Sequence, residues 1–219
     1  MNQVADKVSL GKGARLLLGL VLLASAASLY YGLRAAWADS LSMQSRWQIG
    51  LWQNGRAPLP GITEWAGVRN DLVAAQRWTP EDPQLHDYLG YLYGLRATHS
   101  RAVPELEKAM LDASIDYFRK AVVARPMSPY SWANLSLALH LKGGQDDALW
   151  QAWERGLQYG NREAGVQRML TEVGFARWNE AGSVRQAKLV AMIDSARPHS
   201  KGDLLAIAKR YDKSSLLKP

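Results

Sequence analysis

The first strong pattern along the chain is an apolar segment close to its N-terminus. Residues Leu16 to Leu33 form an eighteen-residue run that carries no charged side chain. As an α-helix rising about 1.5 Å per residue, the run would be roughly 27 Å long, close to the hydrocarbon thickness of a bilayer. Tyr30, Tyr31 and Trp37 lie at its far end, where amphipathic rings favour the headgroup layer. The pattern predicts one transmembrane helix over residues 16–34.

The polar segment before this run predicts how the helix is oriented. Lys7, Lys12 and Arg15 outnumber the single acidic residue, Asp6, and a basic flank favours the cytoplasmic side of a membrane. We therefore expect residues 1–15 to form a cytoplasmic leader, with the rest of the chain on the opposite side of the membrane.

Two other interpretations of the apolar segment compete with a retained anchor. A cleaved secretory signal would have the same basic start, and Ala24-Ser25-Ala26 matches a small-residue cleavage site. The apolar run continues well beyond that site, which favours the anchor. A buried core helix is the third interpretation, and the basic leader at the chain terminus argues against it.

Beyond residue 35 the apolar positions recur with helical spacing, and the chain is predicted to be all-α. Residues 35–61 are predicted as a helical stalk that ends in the linker Gly55–Gly61, whose two prolines and two glycines cannot continue a helix. Residues 62–219 form the main domain. Its helices are predicted over about 62–78, 84–97, 104–124, 129–142, 146–159, 163–179, 183–196 and 203–211.

Part of this domain shows the spacing of a helical repeat. The string WANLSLALHLKGGQDDA, Trp132–Ala148, resembles a tetratricopeptide repeat, a unit of two paired helices. The best units are residues 83–128 and 129–162, and after Gly160 the pattern fades, with Gly182 standing where alanine belongs. We expect small and large side chains at the repeat positions to pack the paired helices: Gly90, Tyr93, Phe118, Ala121, Trp132, Leu135 and Ala148.

Stacked helical pairs of this kind place their first helices along a concave groove. We expect this groove to hold a partner peptide or helix, or alternatively to be filled by the protein's own C-terminal helices. The groove candidates are Gln84, Asp87, Tyr91, Tyr130, Leu137 and His140.

Charge and composition remove several function classes. The chain has 27 basic and 20 acidic residues and no cysteine, which excludes thiolate metal sites and cysteine nucleophiles. Because the charges alternate in sign along the predicted helices, they indicate solvated faces, and no nucleic-acid partner is expected. No metal-ligand spacing, phosphate loop or nucleophile motif occurs, so the sequence predicts a non-enzymatic protein without a cofactor or metal. The enzymatic alternative would use carboxylates such as Glu105 and Glu107.

The whole layout is similar to the VpsP-like family of bacterial polysaccharide-biosynthesis proteins. The resemblance rests on the leader, one membrane helix, degenerate repeats and the string ARPMSPYSWANLSLAL, Ala124–Leu139. It implies a single-pass protein of the bacterial inner membrane whose repeats face the periplasm and assist exopolysaccharide assembly or export by contacting other membrane or periplasmic proteins. It implies no catalytic residue. An assembly factor for another envelope complex, such as cytochrome c maturation, and a structural subunit of a larger membrane complex are the alternatives.

Overall fold

The computed structural model describes residues 11–143 and 147–217, and within them every regular element is helical. The all-α prediction is therefore confirmed for this part of the chain. Residues 1–10 of the predicted leader and the predicted helix start at residue 146 lie outside the described residues. The α-helices are α1 (Lys12–Gln53), α2 (Ile62–Trp78), α3 (Pro83–Thr98), α4 (Pro104–Ala124), α5 (Pro129–Lys142), α6 (Asp147–Gly160), α7 (Ala164–Ala176), α8 (Trp178–Asp194) and α9 (Pro198–Arg210), followed by a short 3₁₀ helix at Ser214–Leu216.

Local sequence explains where these helices begin. Proline occupies the first turn of α3, α4, α5 and α9, where its missing amide costs no hydrogen bond and its fixed φ suits a helix. The Asp82 carboxylate accepts a hydrogen bond from the Gln84 amide at 2.8 Å, and the Ser128 hydroxyl accepts one from the Ser131 amide at 3.4 Å. Both side chains cap amides that lack a partner within their helices.

The helices pack as consecutive hairpins. The second half of α1 pairs with α2, α3 with α4, α5 with α6, and α7 with α8, and each hairpin packs on the next. Two buried tryptophans repeat one interaction: the Trp65 indole donates to the Leu92 carbonyl at 2.8 Å, and the Trp153 indole donates to the Leu170 carbonyl at 2.9 Å. In each case the second helix of one hairpin is bonded to the first helix of the next, as expected for a repeated architecture.

The N-terminal apolar run is one helix with the segment that follows it. Residues 12–37 of α1 are almost entirely exposed, and α1 is the one helix of the described residues that is long and apolar enough to cross a membrane. A run of exposed leucines over several turns is unfavourable in water. The structure therefore provides one candidate membrane-spanning helix, which stands clear of the hairpins.

The segment predicted as a stalk packs within the hairpin array. Ala38, Ile49 and Trp52 of α1 are buried in one core cluster with residues of α2 and α3, and the Ser45 hydroxyl donates to Asp71 of α2 at 2.8 Å. The folded unit thus begins near residue 35, not at residue 62. Between the end of α1 at Gln53 and the start of α2 at Ile62, Asn54 caps α1 and Gly55 adopts φ 63°.

The predicted helix boundaries differ from the structure near the last hairpin. The helix predicted to reach residue 179 ends at Ala176, and α8 already begins at Trp178. Gly182 interrupts α8 with φ 71° and ψ 159°, a conformation that side-chain-bearing residues rarely adopt. The glycine at this position therefore bends the backbone where the repeat pattern expects alanine.

Candidate functional site

A small apolar cleft opens between α3 and α5 on the array's first-helix face. Its volume is about 190 Å³, similar to one large side chain. Helix α7 packs closely on both α5 and α9, whereas α3 and α5 make few contacts with each other. The wider separation of α3 and α5 leaves this cleft between them. We call it the α3–α5 cleft, and its lining residues are Gly90, Tyr91, Gly94, Leu95, Thr98, Ser114, Phe118, Asn134, Leu137, Ala138 and Leu141.

Small residues on facing helices form the floor of the α3–α5 cleft. A side chain at Gly90 would lie 2.8 Å from the Phe118 ring, so glycine is what permits α3 and α4 to approach this closely. The buried Ser114 hydroxyl donates to the Gly90 carbonyl at 2.7 Å and joins the two helices. Gly94 of α3 and Ala138 of α5 also line the cleft. Because their side chains are absent or small, they do not fill the space between the two helices.

Larger side chains form the rim. Tyr91 is half-buried and packs against both core clusters, and burial raises the pKa of its hydroxyl, which therefore stays protonated. Leu137 is half-buried on the opposite wall, and Leu141 beside it is exposed. The rim thus offers apolar contact area together with the neutral hydrogen-bonding groups of Tyr91 and Asn134.

A polar network fixes the spacing of α3 and α5 at the start of both helices. The Ser131 hydroxyl donates to Asp87 Oδ2 at 2.8 Å, and the Arg125 guanidinium donates to the same oxygen at 2.9 Å. Burial raises the pKa of Asp87, and the Ser131 and Arg125 bonds oppose that shift. Asp87 Oδ1 is buried without a hydrogen-bond partner among the described residues. Asp87 therefore links α3 to Ser131 of α5 and to Arg125 in the α4–α5 turn.

Two predicted groove residues lie at a different seam, between α5 and α7. Tyr130 packs against Gly165, where a side chain would lie 2.9 Å from its ring. Burial, followed by the nearby Glu163 carboxylate, raises the pKa of the Tyr130 hydroxyl. His140 accepts a hydrogen bond from Arg177 Nε at 3.1 Å. Burial, followed by the Arg177 charge, lowers the pKa of His140 and favours the neutral ring.

The predicted groove residues therefore divide into separate places. Tyr91 and Leu137 meet in the α3–α5 cleft, Asp87 supports its end, and Tyr130 and His140 belong to the neighbouring seam. Gln84 is exposed on the first turn of α3 and donates to the Tyr88 hydroxyl at 3.3 Å.

The residues predicted to pack the repeats lie between helices. Tyr93 stacks on Tyr117 of α4 at 5.5 Å between ring centroids and meets Trp65 of α2 edge-on at 5.6 Å. Trp132 is half-buried, and its indole donates to the Pro126 carbonyl at 2.7 Å. The others are at least half-buried: Gly90, Phe118, Ala121, Leu135 and Ala148.

Several residues that line the α3–α5 cleft were not among the predicted groove residues. Leu95 and Thr98 follow Tyr91 by four and seven positions on α3, and Leu141 follows Leu137 by four positions on α5. Residues three, four and seven apart share one helix face, so extending the face from Tyr91 and Leu137 would have found them. Gly94 and Ala138 could not be found in this way, because small residues on a helix indicate close helix packing as readily as a binding surface.

The C-terminal helix does not occupy the α3–α5 cleft. Helix α9 packs on α7, and at the end of α9 the Tyr211 hydroxyl donates to Glu172 of α7 at 2.6 Å. The C-terminal helix α9 therefore covers α7, and it does so without filling the α3–α5 cleft. Every residue that lines the α3–α5 cleft comes from α3, α4 or α5.

The lining of the α3–α5 cleft is mostly apolar and suits contact with an apolar group. Most glycoside hydrolases use two carboxylates that flank the scissile bond. Glu105 and Glu107 lie on the first turn of α4 and do not line the α3–α5 cleft. Within residues 11–143 and 147–217, no group of three or more metal-ligating side chains comes together. The α3–α5 cleft is thus the candidate site that the predicted groove residues Tyr91 and Leu137 help to form.

Comparisons with known proteins add no relative. No family model matches the chain, and no curated protein matches it.

Proposed function

We propose that this protein is a membrane-tethered, non-enzymatic adaptor that captures a partner protein in the α3–α5 cleft. The observation that carries the proposal is the open apolar cleft on an array joined to a candidate membrane helix without a flexible linker. An array of paired helices commonly binds a peptide or helix along its first-helix face. A tether on one component raises the effective concentration of its partner at the membrane.

The chemistry of the α3–α5 cleft defines the kind of partner segment. A volume of about 190 Å³ suits one leucine, methionine or phenylalanine side chain as an anchor, and apolar anchors in well-packed pockets dominate many interfaces. The neutral Tyr91 and Asn134 at the rim suit the backbone groups of an extended or helical peptide. A tetratricopeptide-like array is the repeat class that fits this mode of binding.

Features of the sequence support a cellular setting for this adaptor. The basic leader supports a cytoplasmic N-terminus, with the array in the periplasm of a bacterial cell and the anchor in the inner membrane. The resemblance to the VpsP-like family supports a role in exopolysaccharide or envelope polysaccharide assembly or export. The partners would be other membrane or periplasmic proteins of that machinery.

The cleft is tested by crosslinking in cells that make the full chain. A photo-crosslinking residue placed at Leu137 should give one discrete adduct, and the same residue at exposed Val184 of α8 should not give it. The double variant Tyr91→Ala and Leu137→Ala should lose the captured protein, while Tyr130→Ala, which alters the α5–α7 seam, should retain it. Equal capture by both variants would overturn the cleft assignment.

The setting is tested separately by reporter fusions after Pro219. High activity of alkaline phosphatase, which requires export, together with no fluorescence from a reporter that folds only in the cytoplasm, is the expected result. The opposite pattern would place the array in the cytoplasm and overturn the polysaccharide proposal without affecting the cleft.

A further inference from the structure

The position of α2 relative to the anchor indicates which edge of the array faces the membrane. Arg34 Nε donates to the Trp78 carbonyl, the last residue of α2, at 2.7 Å. Arg34 directly follows the apolar run that ends at Leu33. The C-terminal end of α2 therefore lies level with the point where the anchor leaves the hydrocarbon layer.

Two connections between helices of the array lie near the end of the apolar run. Asp82 and Leu85, at the start of α3, line a cavity together with Ala38 and Ser42 of α1, within three turns of the end of the apolar run. The last turns of α4 lie beside the last turns of α2, because Val73 and Val123 line one cavity. The α2–α3 turn and the α4–α5 turn consequently lie on the same edge as the anchor's exit.

This edge exposes apolar side chains that a soluble surface would not favour. Trp78 is 45% exposed, Val123 78% and Met127 73%. Trp37, 55% exposed, follows the apolar run on α1. Exposed tryptophan and aliphatic side chains close to a membrane span are typical of the headgroup layer.

Basic side chains accompany the apolar ones. Arg77, Arg119 and Lys120 line a cavity of about 650 Å³ between α2 and α4, with one acidic residue, Glu81. Arg77 and Lys120 have no ion-pair partner in the part of the chain that the structure describes, and Arg119 lies 3.7 Å from Asp116. The Lys120 ammonium stands over the Tyr117 ring, 5.1 Å from its centroid. These charges are open to an anion at the bilayer surface.

His86 at the base of this cavity adds no charge of its own. Gln76 Nε2 lies 3.0 Å from His86 Nδ1, and burial, together with the nearby Lys120, lowers the pKa of the ring. The excess positive charge of the cavity is therefore that of the three exposed cations over Glu81.

We infer that this membrane-facing edge, formed by Arg77, Trp78, Arg119, Lys120, Val123 and Met127, rests on the bilayer, and that its cavity binds the phosphate headgroup of an anionic lipid. Clustered basic residues beside a membrane helix attract anionic headgroups, and the attraction decays within a Debye length of the surface. The inference rests on the anchor of the proposed function but not on the α3–α5 cleft. If this edge contacts the bilayer, the array lies on the membrane surface, and the first-helix face is held at a defined angle to the membrane.

Because the chain contains no cysteine, single-cysteine variants can report depth without background labelling. Met127→Cys on the membrane-facing edge and Val103→Cys in the α3–α4 turn at the opposite end would each carry an environment-sensitive fluorophore. The full chain would be placed in nanodiscs of phosphatidylcholine containing a headgroup spin label, with and without phosphatidylglycerol. Severalfold stronger quenching at position 127 than at position 103, increased further by phosphatidylglycerol, is expected.

The triple variant Arg77→Gln, Arg119→Gln and Lys120→Gln changes exposed side chains only, and helicity by circular dichroism checks its fold. It should lose the increase that phosphatidylglycerol causes. Equal quenching at positions 127 and 103 would overturn the membrane-facing edge. An increase that survives the triple substitution, or is reproduced by inorganic phosphate without anionic lipid, would overturn the headgroup site.

A failure of the proposed function gives a different result. A chain that does not enter nanodiscs contradicts the anchor itself, and both proposals then fall. A chain that enters them but loses no partner in the Tyr91→Ala and Leu137→Ala variant contradicts the cleft alone.

Discussion

At the scale of single residues, the hairpin α3–α4 depends on a contact that only glycine allows. The Gly90 backbone lies against the Phe118 ring, and Phe118 itself is buried in the core. Because neighbouring side chains hold that ring in place, it has little room to move away from an added methyl group.

We expect Gly90→Ala to destabilise the protein by about 1–3 kcal/mol, the usual cost of overpacking. The matched control is Gly67→Ala in α2, where a side chain meets nothing within 4 Å. That change should stabilise the helix by about 0.5–1 kcal/mol, since alanine loses less backbone entropy than glycine. Denaturant unfolding followed by circular dichroism measures both, and a Gly90→Ala protein as stable as wild type would contradict the contact.

Residue-scale chemistry also explains why the predicted groove residues separate. Tyr91 and Tyr130 are alike as amino acids, but Tyr91 enters the α3–α5 cleft while Tyr130 packs on Gly165 of α7. Their sequence positions fixed the helix that carries each one. Which neighbouring helix each would face depended on the spacing of α3, α5 and α7, which no local pattern contains.

At the scale of elements, α1 has two roles along one continuous helix. Its first part is apolar all round and exposed, while its second part buries one stripe against α2 and α3, including Ala38, Ser45 and Ile49. A stripe that recurs every three to four residues is the signature of a packed amphipathic helix. The anchor and the first hairpin are therefore mechanically joined.

We expect Ile49→Ala to lower the free energy of unfolding of the array by about 2–5 kcal/mol, as for other fully buried aliphatic residues. Met43→Ala, on the exposed side of the same helix, should change it by less than about 0.5 kcal/mol. Denaturant titration of the two variants in one detergent makes the comparison. Similar small effects for both would mean that this part of α1 acts as a free stalk.

At the scale of the whole molecule, each hairpin is covered by the next. Buried residues of α1, α2 and α3 form one core cluster, and buried residues of α4 to α9 form a second. In arrays of this kind, removal of a terminal helix exposes the apolar face that it covered.

We therefore expect a protein that begins at residue 35 to be water-soluble and to unfold at the same denaturant concentration as the full chain. A protein that begins at residue 62 should be markedly less stable, because the core cluster of α2 and α3 would lose Ala38, Ile49 and Trp52 of α1. Sedimentation and circular dichroism of the two fragments measure this difference. Equal stability would restore residue 62 as the start of the folded unit.

The sequence by itself determined the helices and the candidate membrane span. Helical periodicity, prolines at first turns and an eighteen-residue uncharged run are local features, and local interactions set where a helix starts, ends and turns its apolar side. The boundaries of α2, α4 and α5 could be predicted to the residue for this reason.

Only the tertiary structure decided how these helices pack against one another and where a cleft remains between them. It packed the supposed stalk into the array, left a gap between α3 and α5 while α5 and α7 pack closely, and brought Arg34 to the end of α2 across 44 residues of chain. Such outcomes depend on how volumes fit between helices that are distant in sequence. A pattern of apolar and polar positions states that a face is buried, but the shape of the partner face decides where a cleft remains.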